Sequence, residues 1–355
     1  MISKWTPLPA LHSAGRLFGW QGRPLQDVAD RTWTLSPATR ARAPKAFFLP
    51  NQLERVTGTM FSEGDALKEV EGGFVDHAPT RAFLFEKAWL LDGVVYKGRG
   101  HECIRTRTTR VPRLRVEREI GRGAVYSTFA GMTYFGNWLL HDCLAYPLAA
   151  AEGDPVTISR TAVGCHEPTY EEWLGIQPSR LESAFFRELV LFDDFGYTND
   201  KRARFRALRE KLFARVDAKP HPGVFVVRGR TGKGKPRVLE NEAALAEMLA
   251  QRRGFRVLDP AQTDVATIVK TCAGARVVVG VEGSGLAHGI LGLAPGGSLL
   301  VLQPPDRFVT VYKNTVEREE QHFAFVVGQP RGEGLFYVDP AEVERTLDLL
   351  PPARV

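Results

Sequence analysis

The chain has 355 residues, 44% of them hydrophobic and 25% charged, so it is long enough for two domains and has an ordinary globular composition. It has no run of 18 apolar residues, so we expect no transmembrane helix. The four cysteines show no CxxC spacing, which argues against a zinc site or a disulfide scaffold. The net charge of +6 favours an anionic partner, which is a phosphorylated ligand, an anionic membrane surface or nucleic acid.

The N-terminal residues lack the continuous apolar core of a signal peptide. We therefore expect a cytoplasmic protein. Peripheral association with the inner face of the membrane is an alternative that the positive charge leaves open.

The first half of the chain predicts a β-rich region, residues 44–127. Short runs of strand length recur from Thr80, and Asp92-Gly93 is a strong signal for a hairpin turn. We expect an antiparallel sheet from these runs. The predicted strands are 80–86, 88–92, 93–96 and 102–106.

A helix is predicted over residues 131–146, after a glycine-rich start. His141 and Asp142 are adjacent on it, so they do not face each other across the helix. Two interpretations stay open. The two side chains are either a partly buried polar pair on the helix surface or a base that lines a cleft.

From residue 155 strands and helices alternate, which predicts a parallel α/β sheet. Thr198 is the predicted cap of a basic helix that runs to about Arg215. We interpret its positive charges as a solvated face above an apolar side made of Phe205, Leu208 and Leu212. A nucleic-acid-binding helix is the alternative, although no RNA- or DNA-binding motif is present.

Residues 218–223 are the predicted linker, and a Rossmann-like rhythm of strands and helices follows it. The predicted domains are an N-terminal lobe (1–217), a C-terminal lobe (218–335) and a last helix (336–355). Asp339-Pro340 provides the cap and the first turn of that helix. We expect the helix to pack back on the first lobe.

The most informative stretch is 276–304, which predicts strand, glycine turn, helix and strand. The turn Glu282-Gly-Ser-Gly285 would present backbone N–H groups and a helix dipole to an anion such as phosphate, or it is a purely structural turn. His288 replaces the last glycine of GxGxxG, which leaves a dehydrogenase as a weak alternative. Pro236 takes the hydroxyl position of a P-loop at 229–235, which argues against an NTPase. Histidines show no HxH or HExxH spacing, so no metal site is predicted.

Four segments in this half resemble, in order and spacing, the motifs of glycosyltransferase family 61, which includes capsule and polysaccharide biosynthesis enzymes. They are VFVVRGR, RVLENE, RGFRVLDP and VVVGVEGSGLAHG, within residues 224–307. GNWLLHDCL in the first half is similar to a helix motif of the same family. Three positions depart from the family pattern. Glu282 and Asn137 stand where histidine is usual, and His141 stands where an acid is usual.

The resemblance implies an α/β fold of the GT-B type, with two Rossmann-like lobes that face a cleft and an N-terminal antiparallel β region. It also implies inverting transfer of a sugar from a nucleotide-sugar donor, expected to be UDP-linked, to a glycan or glycoconjugate. No metal or other cofactor is obligatory in this mechanism, and no nucleic-acid partner is expected. The departures leave an alternative, a catalytically inactive nucleotide-sugar-binding or regulatory protein of the same fold.

The expected site residues divide into three groups. The general base is expected to be Asp142 or His141, with Glu282 as the alternative. The residues expected to bind the donor diphosphate are Arg228, Gly283, Ser284, Gly285, Leu286 and His288. Further contacts with the donor or its loop are expected from Arg230, Lys235, Asn241, Glu242 and Asn137, although for Asn241 we favour a helix-capping role.

Overall fold

The computed structural model describes residues 4–19, 22–111, 113–159, 166–230 and 236–353. Contacts within the chain divide it into two compact units. The first unit consists of Met1–Ala38 and Ala78–Lys201, and the second of Thr39–His77 and Arg202–Val355.

The strands are numbered along the described chain. They are β1 (Lys4–Trp5), β2 (Arg23–Pro24), β3 (Arg31–Ser36), β4 (Thr39–Ala43), β5 (Gly73–His77), β6 (Thr80–Leu91), β7 (Val94–Lys97), β8 (Gly100–Cys103), β9 (Arg115–Val116), β10 (Glu119–Val125), β11 (Asp154–Ile158), β12 (Ser179–Leu181), β13 (Ser183–Asp193), β14 (His221–Val226), β15 (Val238–Leu239), β16 (Arg256–Leu258), β17 (Ala275–Val281), β18 (Leu293–Gln303), β19 (His322–Val327), β20 (Gln329–Gly332) and β21 (Leu335–Tyr337).

The helices are numbered in the same way. They are α1 (Leu8–Leu17), α2 (Glu63–Glu71), α3 (Phe129–Thr133), α4 (Phe135–Asn137), α5 (Cys143–Glu152), α6 (Glu167–Leu174), α7 (Asn199–Phe213), α8 (Glu242–Arg253), α9 (Val265–Cys272), α10 (Leu286–Gly292), α11 (Lys313–Arg318) and α12 (Pro340–Asp348). Short 3₁₀ turns lie at Leu25–Val28 and Leu53–Arg55, and a π-helical turn, Trp138–Asp142, joins α4 to α5.

The first unit is built on one mixed sheet with the order β12-β11-β10-β13-β6-β7-β8-β2, and β3 also pairs with β6. Strands β10 to β13 pair in parallel, whereas β6 pairs antiparallel with β13 and β7. The predicted hairpin is confirmed, because Leu91 pairs with Val94 across a turn in which Asp92 and Gly93 both have positive φ. The two strands predicted at 80–92 are one strand, β6.

The second unit contains a five-stranded, all-parallel sheet with the order β16-β14-β17-β18-β19. Numbered along the chain, its strands lie in the order 2-1-3-4-5, one of the two common doubly wound orders. The central strands are mostly apolar and buried, as expected of parallel strands covered on both faces. The predicted parallel α/β sheet is confirmed here, and the whole is a mixed α/β fold with several sheets.

Residues 39–77 lie in the second unit, not in the N-terminal lobe where the predicted boundaries put them. The backbone of Phe47 bonds to Phe323 and Phe325 of β19, so the segment continues this sheet past its last strand. The Gln52 side chain accepts a hydrogen bond from the N–H of Val327 at 2.6 Å. These partners are distant in sequence, so a local sequence pattern cannot predict that they pair.

The predicted linker at 218–223 is also wrong, because His221–Gly223 is the first half of β14 and pairs with β17. The division between the units falls earlier, after Lys201. The predicted cap of α7 is confirmed, since the N–H of Lys201 donates to the Thr198 hydroxyl at 3.2 Å. Phe205, Leu208 and Leu212 are buried, as predicted.

The last helix, α12, belongs to the second unit, whereas the sequence placed it on the first lobe. Its predicted start is confirmed, because Asp339 accepts from the N–H of Ala341 at 2.9 Å. Its apolar side, Val343 and Leu347, joins the core around β14, β17 and β18. The apolar side of a helix predicts that the helix is buried on that side, but it does not predict which unit's core the helix packs against.

The ion pair of Arg55 with Glu342 ties the 39–77 segment to α12. Two guanidinium nitrogens lie 2.6 and 2.7 Å from the carboxylate oxygens, and this hydrogen-bonded pairing lowers the pKa of Glu342. We expect Glu342→Gln to reduce the free energy of unfolding at pH 7 by about 1 kcal/mol, since the pair is partly exposed. Because the folded-state pKa lies below the ordinary value of 4.5, the difference between wild type and variant should vanish as the pH falls through the folded-state pKa.

The matched control is Glu344→Gln on the same helix, which pairs with the largely exposed Arg252 at 3.1 Å and with Arg253 at 3.7 Å. It should change the free energy of unfolding by less than about 0.5 kcal/mol. Urea titrations at a series of pH values from 7 into the acid range measure both variants. A Glu342→Gln deficit that does not shrink as the pH falls would show that ionisation of this carboxylate is not its source.

Candidate active site

In the second unit, strands β14 and β17 lie side by side at the point where the strand order reverses. Ligands of doubly wound sheets bind in the crevice beyond the carboxyl ends of such strands. Arg228 follows β14, and Glu282 to Gly285 follow β17. The guanidinium of Arg228 lies against Gly283, so close that a Cβ at residue 283 would be 1.8 Å from Nη1. The structure therefore brings these two predicted parts of the site together.

Three arginines surround one buried carboxylate here, and we call them the strand-end cluster: Arg228, Arg237, Arg307 and Glu282. Glu282 forms a short ion pair with Arg237, and its carboxylate lies 3.8 Å from Nε of Arg307. Burial lowers the pKa of Arg228, and the neighbouring Arg237 lowers it further, whereas Glu282 raises it. Arg237 begins the RVLENE segment and Arg307 follows β18, and neither was among the predicted site residues.

Glu282 is thus paired. A carboxylate next to an anionic ligand would be repulsive, and guanidinium groups on it offset that repulsion. The same pairing occupies the Glu282 carboxylate, which makes it less available as a general base.

The glycine turn leaves part of its backbone available. In the described part of the chain, the N–H groups of Gly283, Ser284 and Gly285 have no backbone acceptor. Leu286 differs from the prediction, because its N–H donates to the carbonyl of Gly283 at 3.2 Å. The Tyr312 hydroxyl donates to the same carbonyl at 3.1 Å, which fixes the turn from the other side. His288 is buried within α10.

The residues that open α8 have structural partners. Glu242 accepts hydrogen bonds from the N–H groups of Arg228 and Gly229, at 2.7 and 2.8 Å, and so shapes the turn after β14. The predicted capping role of Asn241 is wrong, because its side chain makes no cap hydrogen bond and instead pairs with the backbone of Val338 at 2.8 and 3.3 Å. Arg230 is exposed, and Lys235 lies outside the described residues.

In the first unit, the parallel strands β10 and β13 also end side by side, with Val125 opposite Leu191. A small pocket lies beyond these ends. It is lined by Tyr126, Thr128, His141, Asp142, Ala145, Phe192, Asp194 and Phe195. The π-helical turn contributes the two predicted residues His141 and Asp142, and such turns occur frequently at functional sites. Asn137 precedes the turn and is not part of this lining.

Asp142 is buried and accepts hydrogen bonds from the backbone and the hydroxyl of Thr128, at 3.2 and 2.9 Å. The carboxylate lies directly on Gly131, where a Cβ would be 1.9 Å from Oδ2. Asp142 thereby supports the start of α3 in addition to lining the pocket.

His141 is held by Lys201, whose ammonium donates to Nδ1 at 3.0 Å. Burial and then the charge of Lys201 lower the pKa of His141 well below its usual value, so the imidazole is neutral at pH 7. With Nδ1 as the acceptor, the ring proton is on Nε2, 3.4 Å from the Tyr197 hydroxyl. Lys201 is fully buried and also lies 3.8 Å from the carboxylate of Asp194. Lys201 and Asp194 were not among the predicted site residues, and Asp194 directly follows β13.

Comparison with known proteins gives one family. The family model described as Glycosyltransferase 61 matches residues 46–301, well over half of the chain. The chain belongs to glycosyltransferase family 61. This confirms the resemblance that the motifs indicated, and it makes a sugar donor and an acceptor the partners of this family 61 member. No curated protein matches the sequence.

Among solved structures, this family 61 member is similar to the bacterial iron-containing dodecameric glycosyltransferase TibC from enterotoxigenic E. coli. The two share 13% sequence identity over 77% of this chain and 93% of that one, with a TM-score of 0.33. A similarity at this level carries no argument about the site.

Among the described residues, no group of three or more His, Cys, Asp or Glu side chains is placed to hold a metal ion. No helix in that part of the chain combines the length and the apolar character that crossing a bilayer requires.

Gly283 can be tested against its neighbour Gly285. Gly283 has a φ of 153°, and a Cβ there would collide with Arg228, whereas Gly285 has a φ of −61° and its nearest neighbour would be an ordinary 3.7 Å away. We expect Gly283→Ala to lower the free energy of unfolding by about 1–3 kcal/mol. Gly285→Ala should leave it unchanged or raise it slightly. Chemical denaturation measures both, and equal effects would contradict the contact between Arg228 and residue 283.

Proposed function

We propose that this family 61 member is an inverting glycosyltransferase that moves a sugar from a nucleotide-sugar donor, UDP-linked in our expectation, to a glycan or glycoconjugate. The strand-end cluster carries this proposal. Three guanidinium groups and one carboxylate leave a net charge of +2 at the point where doubly wound sheets bind ligands. That charge balances a diphosphate, which carries one negative charge on each bridging phosphate.

The cluster would bind the donor through its diphosphate. Arg228 and the N–H groups of Gly283 to Gly285 are donors whose positions the fold already holds, and they would stabilise the negative charge that grows on the leaving nucleoside diphosphate. In metal-dependent transferases a divalent cation supplies this stabilisation. We propose that the arginines supply it here, so that no metal is obligatory.

Asp142 is the proposed general base. The hydrogen bonds that it accepts from Thr128 fix the position of its carboxylate, and it lines the pocket at the π-helical turn. It would take the proton of the acceptor hydroxyl as that oxygen bonds to the anomeric carbon and the bond to the diphosphate breaks on the opposite face. His141 is less suited, because its unprotonated nitrogen, Nδ1, already accepts a hydrogen bond from Lys201. The proposal retains the expected GT-B arrangement and a cytoplasmic location, with the inner membrane face as the alternative.

One alternative has an observation in its favour. The occupied His141 and the paired Glu282 suit a protein that binds a nucleotide sugar without transferring it. A nucleic-acid-binding role for α7 is disfavoured, because Arg202 and Arg206 pair with Glu319 and Glu320.

Calorimetry with UDP tests the donor site. We expect Arg228→Ala to weaken UDP binding by about 1.5–3 kcal/mol, the loss of a hydrogen bond to a charged group, which is roughly a tenfold to hundredfold increase in Kd. Arg252→Ala, on α8 and with a largely exposed side chain, is the control and should bind UDP nearly as wild type does. An unchanged affinity for Arg228→Ala would remove this residue from the site. A wild-type protein that binds no nucleotide or nucleotide sugar would overturn the proposed function.

Turnover of UDP-sugars tests the base. Asp142→Asn should lower the rate at least about 100-fold, because the amide cannot take the proton. Thr128→Ala is the control for structural damage, since it removes a hydrogen bond to the same carboxylate but keeps the base. Similar losses for both variants, or a fully active Asp142→Asn, would contradict the assignment. Binding without turnover by the wild type would favour the inactive alternative.

A further inference from the structure

A second cavity lies entirely within the second unit, and we call it the acidic groove. It has a volume of about 630 Å³, within the range of ordinary ligand sites. The residues that line it include Phe61, Asp65, Glu69, Phe74, Asp76 and Thr310. The first five come from the 39–77 segment, and Thr310 comes from the loop that follows β18.

Two aromatic side chains in the groove are open to solvent. Phe61 is 59% exposed and Phe74 is 65% exposed, which is unusual for large apolar side chains. The Arg40 guanidinium lies 4.9 Å from the ring centroid of Phe74 and steadies that ring. Open rings among polar groups suit a ligand with both apolar and polar faces, and a sugar ring has apolar C–H faces and a rim of hydroxyls.

The groove carries a small excess of negative charge. Three carboxylates, Asp65, Glu69 and Asp76, line it together with Lys68, and Asp76 pairs with Arg40 at 3.7 Å. The other lysine in the lining, Lys313, pairs with Glu317 at 2.7 Å and donates to the carbonyl of Pro44. A net negative groove on a chain of charge +6 disfavours a second nucleotide, nucleic acid or an anionic lipid surface. Its carboxylates are strong acceptors for sugar hydroxyls.

The groove adjoins the strand-end cluster through one loop. Arg307 lies 3.8 Å from Glu282, and its guanidinium donates to the sulfur of Met60 at 3.1 Å, next to Phe61. Tyr312 donates to the carbonyl of Gly283, and the residue after it, Lys313, lines the groove. The same loop thus contacts the proposed donor site on one side and the groove on the other.

We propose that the acidic groove binds the neutral part of a glycan acceptor, with sugar rings packed on Phe61 and Phe74. This inference rests on the proposed function for the role of the glycan as acceptor. The binding itself depends only on the groove.

Saturation-transfer NMR with a panel of neutral oligosaccharides, chitohexaose and maltohexaose among them, tests the binding. Irradiation of aromatic protons should transfer to sugar C–H protons in the wild type. Phe61→Ala and Phe74→Ala should each weaken binding of the best oligosaccharide about tenfold, the scale of an interface anchor. Phe18→Ala removes an aromatic ring that is 89% exposed and lies outside the groove, so it serves as the control and should bind as wild type does.

Each outcome decides the proposal. Binding that is insensitive to salt and is lost in the two groove variants supports it, since a neutral ligand is not screened. It is overturned if no neutral oligosaccharide binds, if the groove variants behave like Phe18→Ala, or if an acidic glycan or a peptide binds the groove instead. UDP calorimetry on the same variants separates the two proposals, because Phe61→Ala should keep wild-type UDP affinity. Glycan binding without any nucleotide binding would refute the proposed function, but the groove would still be a glycan-binding site.

Discussion

The strand-end cluster depends on the pairing of the buried Glu282 carboxylate with its neighbouring arginines. Three guanidinium groups cannot share a partly dry strand end without a counterion, because each raises the cost of keeping the others charged. Glu282 meets Arg237 and lies near Arg307, and its charge also favours the charged form of Arg228. The sequence placed the acidic Glu282 where an anionic ligand was expected to bind. In the structure, its carboxylate is the counterion of the surrounding arginines.

The backbone around this cluster is arranged for the same purpose. Glu242 accepts from the two N–H groups that follow β14, and Tyr312 holds the carbonyl of Gly283. Residue 283 has no room for a side chain, because the guanidinium of Arg228 occupies that space. Rigid positions of donors are what charge stabilisation during a reaction needs, since no energy is then spent on reorganising them.

The 39–77 segment gives the second unit a groove that its parallel sheet alone would not form. It continues the sheet beyond β19, is tied to α12 through Arg55 and Glu342, and supplies most of the lining of the acidic groove. The basic strand-end cluster and the acidic groove therefore both contact the connection between β18 and α11, residues 304–312. The carboxylates of the groove would disfavour binding there of the anionic donor that we propose for the cluster.

Local chemistry allowed the sequence alone to determine much of this. Buried strands, the Asp92-Gly93 turn, the caps Thr198 and Asp339, and the strand-turn-helix around Gly283 follow from side-chain periodicity and backbone conformation, so the family and the second sheet were predictable. Only the tertiary structure decided the partners. The pairing of Glu282 with Arg237, the hold of Lys201 on His141 and the docking of residues 39–77 join groups far apart along the chain. Ion pairs and sheet edges of this kind leave no periodic trace in sequence, because they depend on which surfaces the folded chain brings together.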